Sequence, residues 1–252
     1  PTAPDAAANA AAEAVPYLEK ARQLKPEAYG KFAGTLLALG YFASQDAAKL
    51  AEEIKRAIDG SYETEIPNQA MQWCGMQSFN SGDYTLAAKC LSSISTPEEP
   101  RATSKEVWRY LAKARLKNRD FAGAITAADN VLTVEDNSAW KADGLLDRGR
   151  ALLELNRPEE ALKAAEEATA LHPQGRTSAG LRILTGDIDL KMGNYKEASA
   201  EYLIVVKFHD DKDLKPEALH KLVETLDKQG DKTESEKYRQ QLQSEFPEWK
   251  PQ

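Results

Sequence analysis

Few residues of the kinds that build reactive centres occur in this 252-residue chain: two cysteines, three histidines and three methionines. The histidines, His172, His209 and His220, are widely separated, and none has a nucleophile near it in the sequence. No glycine-rich phosphate-cradling motif is present, so nucleotide binding of the P-loop or dinucleotide type is not expected. Positive charge is also in deficit. The formal net charge is -7 and the isoelectric point about 5.2, which removes any general attraction to nucleic acid or anionic membrane. No apolar run approaches the length of a membrane span. Neither an enzyme nor a resident metal or other cofactor is expected. His209 stands beside Asp210, Asp211 and Asp213, but that stretch lacks ligand spacing and reads as a solvated charged loop rather than a metal site.

What the chain does have is repetition. The stretch Gly144–Pro173 reads as two amphipathic helices joined by Asn156-Arg157-Pro158, with Gly149 midway along the first helix. Ala161, Ala165 and Ala168 form one small-residue face on the second. Stepping by 37 residues from Asn156 gives Gln45, Gly82 and Arg119 in one direction and Gly193 and Gly230 in the other. The same step links Gly149 to Ala112, Gly75, Ala38 and Gly186, and Ala161 to Ala124, Ala87 and Ala198. Three marker sets holding one spacing predict a stack of helical hairpins. A stack also escapes the size ceiling of a single core, because each hairpin packs only on its neighbours.

The markers resemble those of the tetratricopeptide repeat (TPR) family. The likeness rests on GDIDLKMGNYKEASAEY and WRYLAKARLKNRDFAGAITAA. Trp108, Leu111 and Ala112 match the family's first-helix pattern; Gly193, Tyr195 and Ala198, and again Gly82, Tyr84 and Ala87, match its turn; Pro173 and Pro247 match its closing proline. It covers about residues 13 to 247. The spacing is longer than the family's usual 34 residues, so each inter-hairpin loop is expected to be longer. The resemblance implies an all-α, right-handed α-solenoid: a single array over 13–252, with hairpins near 26–58, 68–95, 104–134, 139–172, 177–208 and 216–247. Residues 14 to 26 read as an N-terminal half-unit, with regular helix beginning near Pro16.

Residues 1–12, rich in Pro, Asp and Ala, read as a flexible tether. The absent initiating methionine and this opening fit a chain lying just after a removed signal or anchor, or equally one cut at a convenient boundary. An exported or envelope-associated location is favoured over the cytoplasm.

In this family first helices line a concave face where partners bind. Carried onto these residues, the groove comprises Gln69, Gln72, Trp73, Met76, Phe79 and Asn80, then Arg109, Tyr110, Lys113 and Lys117, then Arg150. Aromatic anchors beside positive charge suit a protein or peptide partner with apolar and acidic side chains; for Trp73 and Met76, packing against neighbouring hairpins is an equal alternative. The family's paired Lys/Asn clamp for a C-terminal carboxylate is not reproduced, since Lys113 and Asn80 stand isolated. The resulting expectation is a non-enzymatic binding scaffold; the alternative is a structural or assembly subunit working through the array ends or convex face. Three packing details are also expected. Arg148 and Asp189, at core-like steps of the repeat, should pair. Gly75 and Ala87 should be the close contact of their hairpin. Cys74 and Cys90, inside that hairpin, should remain small buried thiols, a disulfide being the less favoured reading.

Overall fold

A computed structural model describes residues 3–60 and 66–251. Every regular element among them is helical. The chain divides into two compact units, residues 1–119 and 120–252.

In the first unit, α1 (Ala3–Leu24), α2 (Pro26–Ala43), α3 (Ala47–Ile58), α4 (Asn68–Asn80), α5 (Tyr84–Ser93) and α6 (Lys105–Lys117) pack consecutively. Their core joins Val15, Leu37, Tyr41, Leu50, Ile54, Cys74, Leu86 and Cys90. Two departures from the sequence reading fall on α1. The segment read as a tether is helical from Ala3, and Pro16 lies inside the helix instead of opening it. Eight alanines in residues 3–14 supply the highest helix propensity of any residue, and packing on α2 helps offset the bond that Pro16 cannot donate. A polar clasp fixes α1 in place. Glu53 of α3 is 1% exposed and accepts from Arg22 of α1 at 2.6 Å and Arg56 at 3.3 Å. Tyr41 donates to Glu19 at 2.6 Å, and burial pushes its phenol pKa well up.

The second unit comprises α7 (Phe121–Val134), α8 (Ser138–Glu154), α9 (Pro158–Thr169), α10 (Gly175–Met192), α11 (Tyr195–Phe208), α12 (Leu214–Gln229) and α13 (Lys232–Glu245). Here α10 packs against α8, α9, α11 and α12. Its buried Ile183 joins Tyr202, Leu219 and Leu222 on one side, and its Leu184 joins Ala161 and Leu152 on the other. Helix α13 carries Lys237, Arg239, Gln240 and Gln243 outward and buries Ser235 and Tyr238.

The turns between paired helices are alike. Gln45, Gly82, Arg119, Asn156, Gly193 and Gly230 all have left-handed backbones, with φ between 55° and 87°. The residue after the left-handed one donates back across the helix end: Asp46 to Tyr41 O, Asp83 to Ser78 O, Arg157 to Leu152 O, Asn194 to Asp189 O and Asp231 to Leu226 O, all at 2.8–3.0 Å. This is the Schellman closure, which satisfies carbonyls that a helix end otherwise leaves unpaired. In four of the turns an aspartate (Asp46, Asp83, Asp120, Asp231) then caps the next helix, accepting from the N–H three residues on. Pro158 opens α9 from the first position, where its missing N–H costs nothing.

Of the packing details expected from the sequence, one holds and two are corrected. Cys74 and Cys90 are free, buried thiols; the neighbouring Cys74 thiol and burial push the Cys90 thiol up. Gly75 lies against Leu91 and Cys90 rather than Ala87. Arg148 does not pair with Asp189. It binds Asp129 of α7 at 2.9 Å, while Asp189 accepts from Asn194 at 3.3 Å. Both charges are part-exposed and find partners across the nearest turn or helix, so neither needs the other.

Candidate functional site

Helices α2, α4 and α6 form the first-helix row of the first unit, α4 packing on both of the others. Along α4 the residues Gln69, Gln72, Trp73, Met76, Phe79 and Asn80 fall within about a third of the helix circumference at 100° per residue. Gln69 and Asn80 are exposed, and the other four are half-buried. Ser104 caps α6 by accepting from Val107 N–H at 3.4 Å, as its place before the apolar run leads one to expect. It sets the register in which Arg109, Lys113 and Lys117 make one stripe at four-residue intervals, with Tyr110 beside it.

The aromatic side chains fall into two sets. The Phe79 ring meets Tyr110 edge-to-face, with centroids 5.3 Å apart, and also meets Tyr84 at 5.4 Å. α4 and α6 are thereby bridged by rings that remain partly in solvent. Trp73 pairs instead with Phe42 of α2 at 5.8 Å and packs on the core of the unit. Trp108 is 1% exposed and donates its indole N–H to Pro100 O at 2.9 Å. That bond pins the short 3₁₀ turn Pro100–Ala102 before α6 and makes Trp108 a core residue.

Charge around the row is arranged along α6. Arg109 is an i,i+3 neighbour of Glu106 at 3.8 Å; its side chain and that of Lys113 are half-buried, whereas Lys117 is exposed. Arg150 belongs to α8 of the second unit, where its guanidinium lies against Gly180 of α10. Ten of the eleven residues expected in the groove thus sit in the first unit. Among them Phe79 and Tyr110 are brought into contact, and Trp73 is drawn toward the core. The sequence reading missed Phe42 as the partner of Trp73.

The second unit carries a shallow recess of about 320 Å³ on its own first-helix row, lined by Leu153, Glu154, Asp187, Leu190, Lys191, Lys221 and Lys228. Three of its charges are engaged. Lys221 binds Asp187 at 2.7 Å, the Tyr202 hydroxyl donates to the same carboxylate at 2.7 Å, and Lys191 donates to Leu153 O at 2.9 Å. In the loop before α12, Asp211 accepts from Arg176 at 2.6 Å and from the N–H groups of Asp213 and Leu214 at 3.0 Å. That loop serves as an anchor for α12. Among the described residues no group of three or more His, Cys, Asp or Glu side chains is placed to hold a metal ion, and no helix is long and apolar enough to cross a membrane.

No protein-family model matches the chain, and no curated protein matches it. Solved structures do. A thermophilic TPR protein of Thermus thermophilus is 18% identical over 77% of this chain and 99% of its own, with a TM-score of 0.49. A tetratricopeptide repeat protein of Parabacteroides merdae is 12% identical over 85% of this chain and 78% of its own, with a TM-score of 0.59. The fold is TPR-like. At these identities the likeness is one of fold, resting on the second structure, and it agrees with the all-α helical-repeat architecture. Within this TPR-like framework, α2, α4 and α6 occupy first-helix places and α3 and α5 second-helix places.

Proposed function

We propose that the chain is a non-enzymatic protein-binding scaffold whose α4/α6 face takes an extended or helical peptide bearing apolar and acidic side chains. The observation that carries this reading is the half-exposed Phe79–Tyr110 pair at 5.3 Å, set beside the Arg109, Lys113 and Lys117 stripe. Rings held edge-to-face are rigid, so little conformational entropy is lost when a partner packs on them. Tyrosine and arginine are also the residues in which interfaces concentrate their binding energy. The basic stripe selects for acidic residues and speeds encounter. Phe32 of α2, 67% exposed, extends the apolar surface along the same row. Trp73 and Met76 border the patch, with Trp73 shared between it and the core. Binding is expected to be reversible and weakened by salt, since the charges are part-exposed.

A displayed library of acidic-apolar peptides, panned on the whole chain, tests the reading. Peptides so selected should lose on the order of 1 kcal/mol or more of affinity, about fivefold or more, on Tyr110→Ala and on Lys113→Ala. The thermal midpoints of both variants should stay near that of the parent. Selected peptides that bind both variants as tightly as the parent chain would place the site elsewhere.

A further inference from the structure

The first helix carries an apolar stripe that its own unit covers only in part, Ala14 and Ala21 being half-buried and Ala10, Tyr17 and Leu24 exposed. Val15, Leu18 and Arg22 of α1 face the core and the α3 clasp. Ala10, Ala14, Tyr17, Ala21 and Leu24 recur at intervals of four, three, four and three residues, the spacing of a helix–helix seam. At 100° per residue this stripe lies roughly a third of a turn round from the core face. Tyr17 is 78% and Leu24 72% exposed, which with Phe208 at 77% are the three largest exposures among the described bulky apolar residues. The clasp of Glu53 with Arg22 and of Tyr41 with Glu19 holds α1 in one orientation, so the stripe is presented on a rigid support.

We infer that the occupant of this stripe is a second copy of the same chain, its α1 laid antiparallel across the first about a two-fold axis near Tyr17. The pattern is self-complementary in size. With Tyr17 at the centre, the small Ala10 of one copy falls opposite the large Leu24 of the other, and Ala14 falls opposite Ala21. It is self-complementary in charge as well. Glu13 and Lys20, both exposed, flank the seam on the side away from the core, and antiparallel pairing sets Glu13 of one copy beside Lys20 of the other, twice. Positions flanking a seam in this way set partner choice and orientation. The opposite flank holds Leu18, which is already committed to the core, so the arrangement has one charged edge and one apolar edge. A head-to-tail stack is disfavoured by chemistry, because the outward face of α13 is polar, with Lys237, Arg239 and Gln240.

This inference is independent of the peptide-binding reading. Sedimentation velocity over a wide dilution series tests it. The parent chain should show a reversible species of twice 27.8 kDa, and Tyr17→Lys, which alters an exposed side chain, should be monomeric with unchanged helix content by circular dichroism. Glu13→Lys alone and Lys20→Glu alone should each weaken the dimer about fivefold. The double exchange in one chain should restore it, which general stickiness of the apolar stripe would not do. A parent chain that stays monomeric throughout, a dimer indifferent to Tyr17→Lys, or a double exchange as weak as the single ones would overturn the proposal.

Discussion

Gly186 and Tyr202 decide how closely α10 and α11 approach. A Cβ on Gly186 would stand 2.5 Å from Cε1 of the Tyr202 ring, and that ring is fully buried with its hydroxyl on Asp187 at 2.7 Å. Gly149 is also crowded, at 2.7 Å, but by Cδ2 of Leu184, the end of a flexible side chain. Overpacking typically costs about 1–3 kcal/mol, and replacing a helical glycine returns roughly 0.5–1 kcal/mol. Gly186→Ala should therefore destabilise the protein by about 1–2 kcal/mol net, with Gly149→Ala clearly milder, as read from urea unfolding. Equal losses would mean that the Tyr202 ring yields as readily as the Leu184 methyl. The repeat spacing marks both glycines as equivalent. It carries no information on which neighbour is rigid, and that difference is seen only once the side chains are packed.

Among the elements, the helix joints were the most legible feature. Residues chosen only for their spacing, including the non-glycines Gln45, Arg119 and Asn156, adopt left-handed backbones, because the closure at each helix end demands that conformation whatever residue occupies it. The cap that follows supports a pH prediction. Asp83 accepts from Leu86 N–H at 3.0 Å and meets Lys55 of α3 at 2.8 Å, and the Lys55 ammonium, with that N–H, holds its carboxyl below the usual range. A carboxyl depressed in the folded state stabilises fully above its unfolded pKa, about 3.9, and loses that contribution as pH falls through the folded value. Asp83→Ala should cost about 1 kcal/mol near neutral pH, and the gap between parent and variant should narrow as pH falls below about 4 in paired urea titrations. A gap constant down to acid pH would contradict the capping role. Less legible were contacts set by rotation about helix axes. The spacing equates Arg148 and Asp189 with apolar positions elsewhere, yet Arg148 reaches Asp129. Likewise Pro16 looks like a helix start until the packing of α1 on α2 is seen to carry the helix through it.

For the molecule as a whole, the all-α repeat architecture was readable because it follows from periodicity, and periodicity survives when individual residues vary. The candidate site was readable only as a face. Sequence spacing places Trp73, Phe79 and Tyr110 on the same row, but which rings meet depends on the distances between helices; Trp73 turned toward Phe42 and the core while Phe79 bridged to Tyr110. The exposed stripe of α1 was hidden for the opposite reason, since a tether over 1–12 and a helix start near Pro16 divide it, and its spacing shows only once Ala10 to Leu24 lie on one continuous helix. The central claim is that partners dock on the α4/α6 row. It is tested most directly by site-specific photocrosslinking to a selected acidic-apolar peptide, with a benzophenone side chain placed at Phe79 on that row or, in a second chain, at exposed Lys89 on α5. The account predicts efficient crosslinking from position 79 and little from position 89; crosslinking from position 89 with none from position 79 would contradict it.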